Sequence, residues 1–232
     1  MVIHTKMGVY MKNIYYVLIM LSFAGCSIDN YDMPNATLSG KVLDNVTNEM
    51  VQNGGVNSGT IIQIFEGNSK QPILSTSYPD GHFINATLFN GMYRVWAVGP
   101  FRMTQDTINV TVSGNTQLDI KVLPNVRLKA NIVSFQNGTA TINVQYEKVH
   151  SNETLVRIGV VASTYNNPNV TTFAGGKIVE QNVASEGLTS GTRTMTITGL
   201  VQGKKYYFRA LARSNAAGNL YNYSETFTNQ GK

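Results

Sequence analysis

The chain has 232 residues, of which 42% are hydrophobic and only 13% charged, with 21 glycines. So little charge with so many β-branched and turn residues argues against a helical bundle, a coiled coil or a charged disordered chain. One cysteine rules out an internal disulfide framework and a multi-cysteine metal site, and three histidines leave little material for acid–base or metal chemistry.

Residues 1–25 read as a leader. Lys12 supplies a basic start, residues 14–23 form an apolar core too short to span a bilayer, and the small residues Ala24 and Gly25 precede Cys26. Met11 is an alternative start. The segment resembles the lipobox of bacterial lipoproteins, with Phe23 where Leu is commonest. That resemblance implies cleavage before Cys26 and acylation of its thiol, and several acyl chains on one residue give stable anchoring. Residues 26–34 then form a tether. Ser27 follows the cysteine where Asp would resemble an inner-membrane retention signal, and Asp29 and Asp32 are similar to the acidic surface-export signals of Bacteroidetes lipoproteins. The expected location is the outer membrane, lipid-anchored and facing the cell surface, with the periplasmic face as the alternative.

Beyond the tether, short runs of period 2 between Gly, Asn, Pro and Asp predict strands. Residues 37–43, 59–66, 72–77, 82–86, 92–98, 107–112 and 117–122 give seven of them, the spacing of a sandwich domain over 35–124. Pro79-Asp80-Gly81 predicts a tight turn in which Gly81 takes positive φ. Asp80-Gly81-His82-Phe83 and Gly91-Met92-Tyr93-Arg94-Val95 resemble the paired-strand motifs of transthyretin-like or carboxypeptidase-regulatory-like domains.

A second sandwich is predicted over 125–232, with strands at 127–135, 139–147, 155–163, 192–198, 205–213 and 221–227. Residues 164–191 form an unusually long connection with room for an extra element. The stretch from Gly199 to Ala210 resembles the fibronectin type III pattern and predicts a tyrosine corner, the Tyr206 hydroxyl bonding upstream backbone. Alternation sends Tyr206, Phe208, Ala210 and Ala212 inward and Tyr207, Arg209, Leu211 and Arg213 outward. The fold class is therefore all-β, two consecutive sandwiches, transthyretin-like and then fibronectin type III or Ig-like.

Asp29 to Gly40, Asn85-Ala86-Thr87-Leu88-Phe89-Asn90-Gly91, and Gly99-Pro100-Phe101 with Asp106-Thr107 are similar to the DUF3823 family of Bacteroidetes lipoproteins. The resemblance implies a place beside starch-utilisation-type uptake systems. The expected partners are a TonB-dependent transporter, its glycan-binding lipoprotein and a polysaccharide. It implies no catalytic motif.

No metalloprotease, nucleophile-elbow, phosphate-loop or dinucleotide motif is present, and no spacing pairs two carboxylates. Catalytic residues, metal ligands and cofactors are therefore not expected. The charge is uneven: residues 26–124 carry 5 basic and 8 acidic groups, residues 125–232 carry 11 and 5. No Lys/Arg run exceeds two, so nucleic acid is not an expected partner. On 92–98, Tyr93, Val95 and Ala97 share one face and Arg94, Trp96 and Val98 the other. With Tyr93 inward, the single Trp points out beside Arg94, with Phe101 and Arg102 following Gly99-Pro100. Trp96, Arg94, Phe101 and Arg102 are thus a candidate glycan or partner contact, against the alternative of a Trp covered by a loop or an interdomain contact. Asp106-Thr107-Ile108 resembles a Bacteroidetes O-glycosylation acceptor. The expected function is a non-catalytic accessory module of a glycan uptake complex; the rival is a structural spacer or adhesion-type surface protein.

Overall fold

The computed structural model describes residues 32–55 and 59–230. The leader, Cys26 and Asp29 lie outside the described residues.

The first sandwich contains β1 (Ala36–Asp44), β2 (Ile61–Glu66), β3 (Ile73–Thr76), β4 (His82–Leu88), β5 (Gly91–Val98), β6 (Phe101–Met103), β7 (Ile108–Val112), β8 (Asn115–Gln117) and β9 (Ile120–Pro124). One sheet has the order β4-β1-β9-β6, with β8 also on β1; the other has the order β3-β2-β5-β7. β1 runs parallel to β8 and β9 and antiparallel to β4. Alternation turns Ile62 and Ile64, then Tyr93, Val95 and Ala97, into a core shared with Leu38, Phe83, Leu88 and Ile120.

The second sandwich contains β10 (Val126–Gln136), β11 (Thr139–Lys148), β12 (Leu155–Ser163), β13 (Lys177–Asn182), β14 (Ser190–Ile197), β15 (Tyr207–Ser214), β16 (Asn222–Tyr223) and β17 (Phe227–Thr228). A three-stranded sheet, β10-β11-β14, faces a sheet of order β13-β12-β15-β16, with β17 also on β15. Between them lie Ile142, Val144, Ile158, Val160, Met195, Ile197, Tyr206 and Phe208. The tyrosine corner is formed: the Tyr206 hydroxyl accepts the Val201 N–H at 3.1 Å. The Pro79-Asp80-Gly81 turn is also formed, with Gly81 at φ +97° and its N–H on the Tyr78 carbonyl at 2.9 Å.

The differences from the sequence reading lie where pairing is nonlocal. β6 was not expected; it is three residues long and exists because Gly99-Pro100 carries the chain from the β5 sheet to pair with β9. The expected strand 117–122 divides into β8 and β9. The expected strand 221–227 divides into β16 and β17. β13 occupies part of the long connection, pairing with the edge of β12.

Both sandwiches lie within one compact unit, Pro34–Lys232.

Candidate binding face and the contact between sandwiches

Trp96 lies on the outer face of β3-β2-β5-β7. Cross-strand register places it opposite Gln63, which is itself opposite Leu74. The neighbouring row is Thr76, Ile61 and Val98; on the other side Phe65 faces Arg94, which faces Asn109. Trp96, Gln63 and Phe65 are half-buried. Leu74 is 61% exposed and Met92 69% exposed, unusual values for large apolar side chains on a sheet. Arg94 is held in place. Its Nε donates to Gly67 O at 3.1 Å and its Nη2 to Ser69 O at 2.8 Å, with the guanidinium 5.4 Å from the Phe65 ring centre. The result is a largely apolar face with one indole, two amides (Gln63 and Asn109) and one fixed cation. Tyr93, on the opposite side of the strand, is buried and donates its hydroxyl to Phe89 O at 3.0 Å. Burial raises that phenol above its ordinary value.

The four-residue contact expected from the sequence is not one patch. Phe101 is 8% exposed and belongs to the first core. Arg102 bonds Glu153 Oε1 of the second sandwich at 2.7 Å. The reason is the Gly99-Pro100 crossing: Arg94 and Trp96 stand on one sheet, Phe101 and Arg102 on the other. At Gly99 an added Cβ would lie 2.4 Å from the Phe101 ring, so the crossing is tight. His82, at the start of β4, is half-buried, stacked on Tyr78 at 4.1 Å with Nδ1 2.5 Å from Asp80.

The least anticipated feature is the polar contact between the sandwiches. Arg209 does stand on the outer face of its sheet, as alternation requires, but that face is covered and Arg209 is fully buried. Its Nη1 donates to Asn53 O at 2.9 Å and its Nη2 to Pro79 O at 3.4 Å, both in the first sandwich. Nε donates to Ser224 O at 3.0 Å, and the guanidinium lies 4.4 Å from the Tyr223 ring centre. Burial pulls its pKa down to about 10. Asn222 bridges as well, accepting the Val126 N–H and donating to Pro100 O at 2.9 Å. Buried Asn169, from the long connection, donates to Gly54 O at 2.8 Å. The Tyr165–Asn169 and Tyr221–Tyr223 stretches, rich in aromatic and amide groups, thus place Asn169, Asn222 and Tyr223 in packing, while Tyr165 remains 68% exposed.

An ion-pair wall completes the contact. Arg127 bonds Asp44 through Nε at 2.5 Å and Glu147 through Nη1 at 2.9 Å, and Lys129 bonds Glu49 at 2.8 Å. These groups line a cleft of about 830 Å³ between β10 and the β16–β17 region. Each carboxylate named here is held by a cation. Burial alone would raise the Asp44 carboxyl, but the Arg127 and Val46 hydrogen bonds and the Arg127 charge together hold it below the usual range. A depressed carboxylate stabilises the fold above its unfolded pKa, and this stabilisation disappears as pH falls through the folded value. Asp44→Asn is therefore expected to cost about 1–3 kcal/mol near neutrality. Urea unfolding should show the gap to the unmutated protein closing as pH falls below about 4.

The model for the N-terminal domain of DUF3823, a family of unknown function, matches residues 36–123, the first sandwich from β1 to β9. Over this domain the chain is similar to the DUF3823 family. A DUF3823 family protein of Bacteroides ovatus is similar over 84% of this chain and 98% of its own, at 25% identity and a TM-score of 0.69. A DUF3823 family protein of Parabacteroides merdae superposes with a TM-score of 0.73 at 17% identity, covering 86% of this chain and all of its own. A Bacteroides uniformis protein whose name proposes carbohydrate binding has a TM-score of 0.68 at 21% identity, covering 85% of this chain and 100% of that one. The fold is thus shared along nearly the whole length of these three proteins. No curated protein matches the sequence.

Proposed function

We propose that this protein is a non-catalytic accessory binding protein that takes glycan on the outer face of β3-β2-β5-β7. It is held at the outer membrane through acylated Cys26, beside a TonB-dependent transporter and its glycan-binding lipoprotein. The observation that carries the glycan reading is the half-buried Trp96 on the outer face of the sheet, opposite Gln63 on β2 and two residues along β5 from the fixed guanidinium of Arg94. A pyranose presents an apolar face to an aromatic ring and hydroxyls to planar polar groups at its rim. The name of the Bacteroides uniformis neighbour points the same way for that protein.

A second reading is favoured by the exposed Leu74, Ile61, Val98 and Met92, which suit a protein partner better than a sugar. The two separate by experiment. Trp96→Ala is expected to weaken binding of neutral plant or host glycans at least about tenfold, the loss of a buried aromatic contact. Leu74→Arg should leave that affinity within about threefold, and should instead abolish capture of the transporter if the face docks protein. Calorimetric titration of both variants against a glycan panel checks this. Unchanged affinity in Trp96→Ala overturns the glycan reading.

A further inference from the structure

Five arginines lie in residues 125–232. Arg127 is paired with Asp44 and Glu147, and Arg193 with Glu186 and Gln181. Arg209 is satisfied by carbonyls. The remaining two, Arg157 on β12 and Arg213 on β15, stand directly opposite each other across the strand pair. Among the described residues neither has a carboxylate within ion-pair distance. Like charges placed opposite on adjacent strands repel, and arginine cannot relieve this by losing its proton.

The surroundings hold Arg213 in place. The Arg213 guanidinium lies 5.6 Å from the Tyr221 ring centre, and its Nη1 donates to Asn219 Oδ1 at 2.7 Å. Its Nε is buried with no acceptor among the described residues. Asn182 pairs with Arg157 on the other side, its Oδ1 taken by the Ala184 N–H. Asn182 and Asn219 are exposed, and each engages its carbonyl oxygen locally, which leaves their NH₂ groups as donors for a ligand. One carboxylate is near: Glu180, which accepts the Tyr221 hydroxyl at 2.7 Å. Two guanidinia against one carboxylate leave an excess positive charge, rimmed by donors, on a half-exposed sheet face. Guanidinium forks carried at directly opposed strand positions match the planar or trigonal oxygens of a carboxylate or sulfate.

We propose that Arg157 and Arg213 form an anion subsite for the carboxylate or sulfate groups of an acidic glycan. The subsite is separate from the Trp96 face, on the other sandwich, and goes beyond the neutral-glycan reading made for that face.

The test is titration of the purified protein with polygalacturonate, which offers only carboxylates, with dextran sulfate, which offers only sulfates, and with neutral dextran. The acidic polymers are expected to bind, with affinity falling as NaCl rises from about 50 to 300 mM. Arg157→Gln with Arg213→Gln should lose at least about tenfold in that affinity, while Trp96→Ala should not. The relative strength of the two acidic polymers tells carboxylate from sulfate. If the double Gln variant melts at a lower temperature, Arg157→Lys with Arg213→Lys keeps the charge but not the forks, and a partial loss at unchanged melting supports the subsite. Equal binding of acidic polymers by the protein and the double Gln variant overturns the proposal. So does an Arg157- and Arg213-dependent response to inorganic sulfate, an acidic peptide or anionic vesicles without any to acidic glycan. Failure of the Trp96 reading would appear only with neutral glycans and Trp96→Ala.

Discussion

Arg209→Ala is expected to lower the unfolding free energy by about 3–4 kcal/mol, among the largest losses from any single side chain here. Three effects combine. Asn53 O and Ser224 O lose their guanidinium donor, and buried acceptors left without one cost about 1–3 kcal/mol each, while Pro79 O keeps the Asn53 N–H at 3.0 Å. The contact with the Tyr223 ring disappears, a desolvated cation–π pair being worth about 2 kcal/mol. Against these, the variant no longer desolvates a charge, which keeps the net loss well below the sum. Arg209→Met fills most of the volume without the donors and separates packing from hydrogen bonding. It should recover no more than about 1 kcal/mol. Urea unfolding followed by circular dichroism checks both variants. A loss below about 1 kcal/mol in Arg209→Ala would mean that the two sandwiches are not held together by this residue.

Gly40→Ala is expected to cost about 3 kcal/mol or more and to lower the melting temperature by about 6–12 °C. Gly40 sits in the middle of β1, opposite Phe83. A Cβ there would lie 1.9 Å from the Leu118 carbonyl oxygen and 2.6 Å from its carbon, with the Phe83 ring at 3.2 Å. The obstacle is backbone between β8 and β9, tied down by the Leu118 N–H on Ser39 O at 2.8 Å. It cannot swing aside as a side chain could. The glycine is required by close approach of two strands, and relief needs separation of β1 from the β8–β9 segment. Thermal melts of Gly40→Ala against Gly67→Ala are informative, since a Cβ at Gly67 meets nothing within 4 Å and only its φ of +48° opposes the change. Equal melting of the two variants would remove close packing as the explanation.

Much of the fold could be read from local pattern because its causes are local. Tyr93, Val95 and Ala97 alternate with Arg94, Trp96 and Val98, and the structure buries the first set and turns the second outward. The Tyr206 corner and the Gly81 turn depend on residues within a few positions of one another. What could not be read depends on partners far away in sequence. Nothing near Arg209 announces that its acceptors are residues 53 and 79: alternation gives only that it points outward from its strand. Phe101 and Arg102 follow Trp96 closely in the chain, but Gly99-Pro100 moves them to another sheet. The Asp44–Arg127 pair spans 83 positions and no spacing rule would find it. The Arg157–Arg213 pair is also invisible in one dimension. It requires the register of β12 on β15, including the irregularity between Leu155 and Arg157. Of the candidate contact, Trp96 and Arg94 share one face, and the neighbours that give that face its character, Gln63, Phe65 and Leu74, come from β2 and β3.

The most direct measurement on the proposed function uses the only tryptophan in the chain as its own reporter. Emission of Trp96 is recorded with an aqueous quencher while a panel of neutral and acidic glycans is titrated in. Partial quenching in the free protein, with protection and a spectral shift on adding a neutral glycan, is the predicted result. Quenching that no glycan alters, at concentrations where calorimetry detects binding elsewhere or none at all, would contradict a sugar platform on β3-β2-β5-β7.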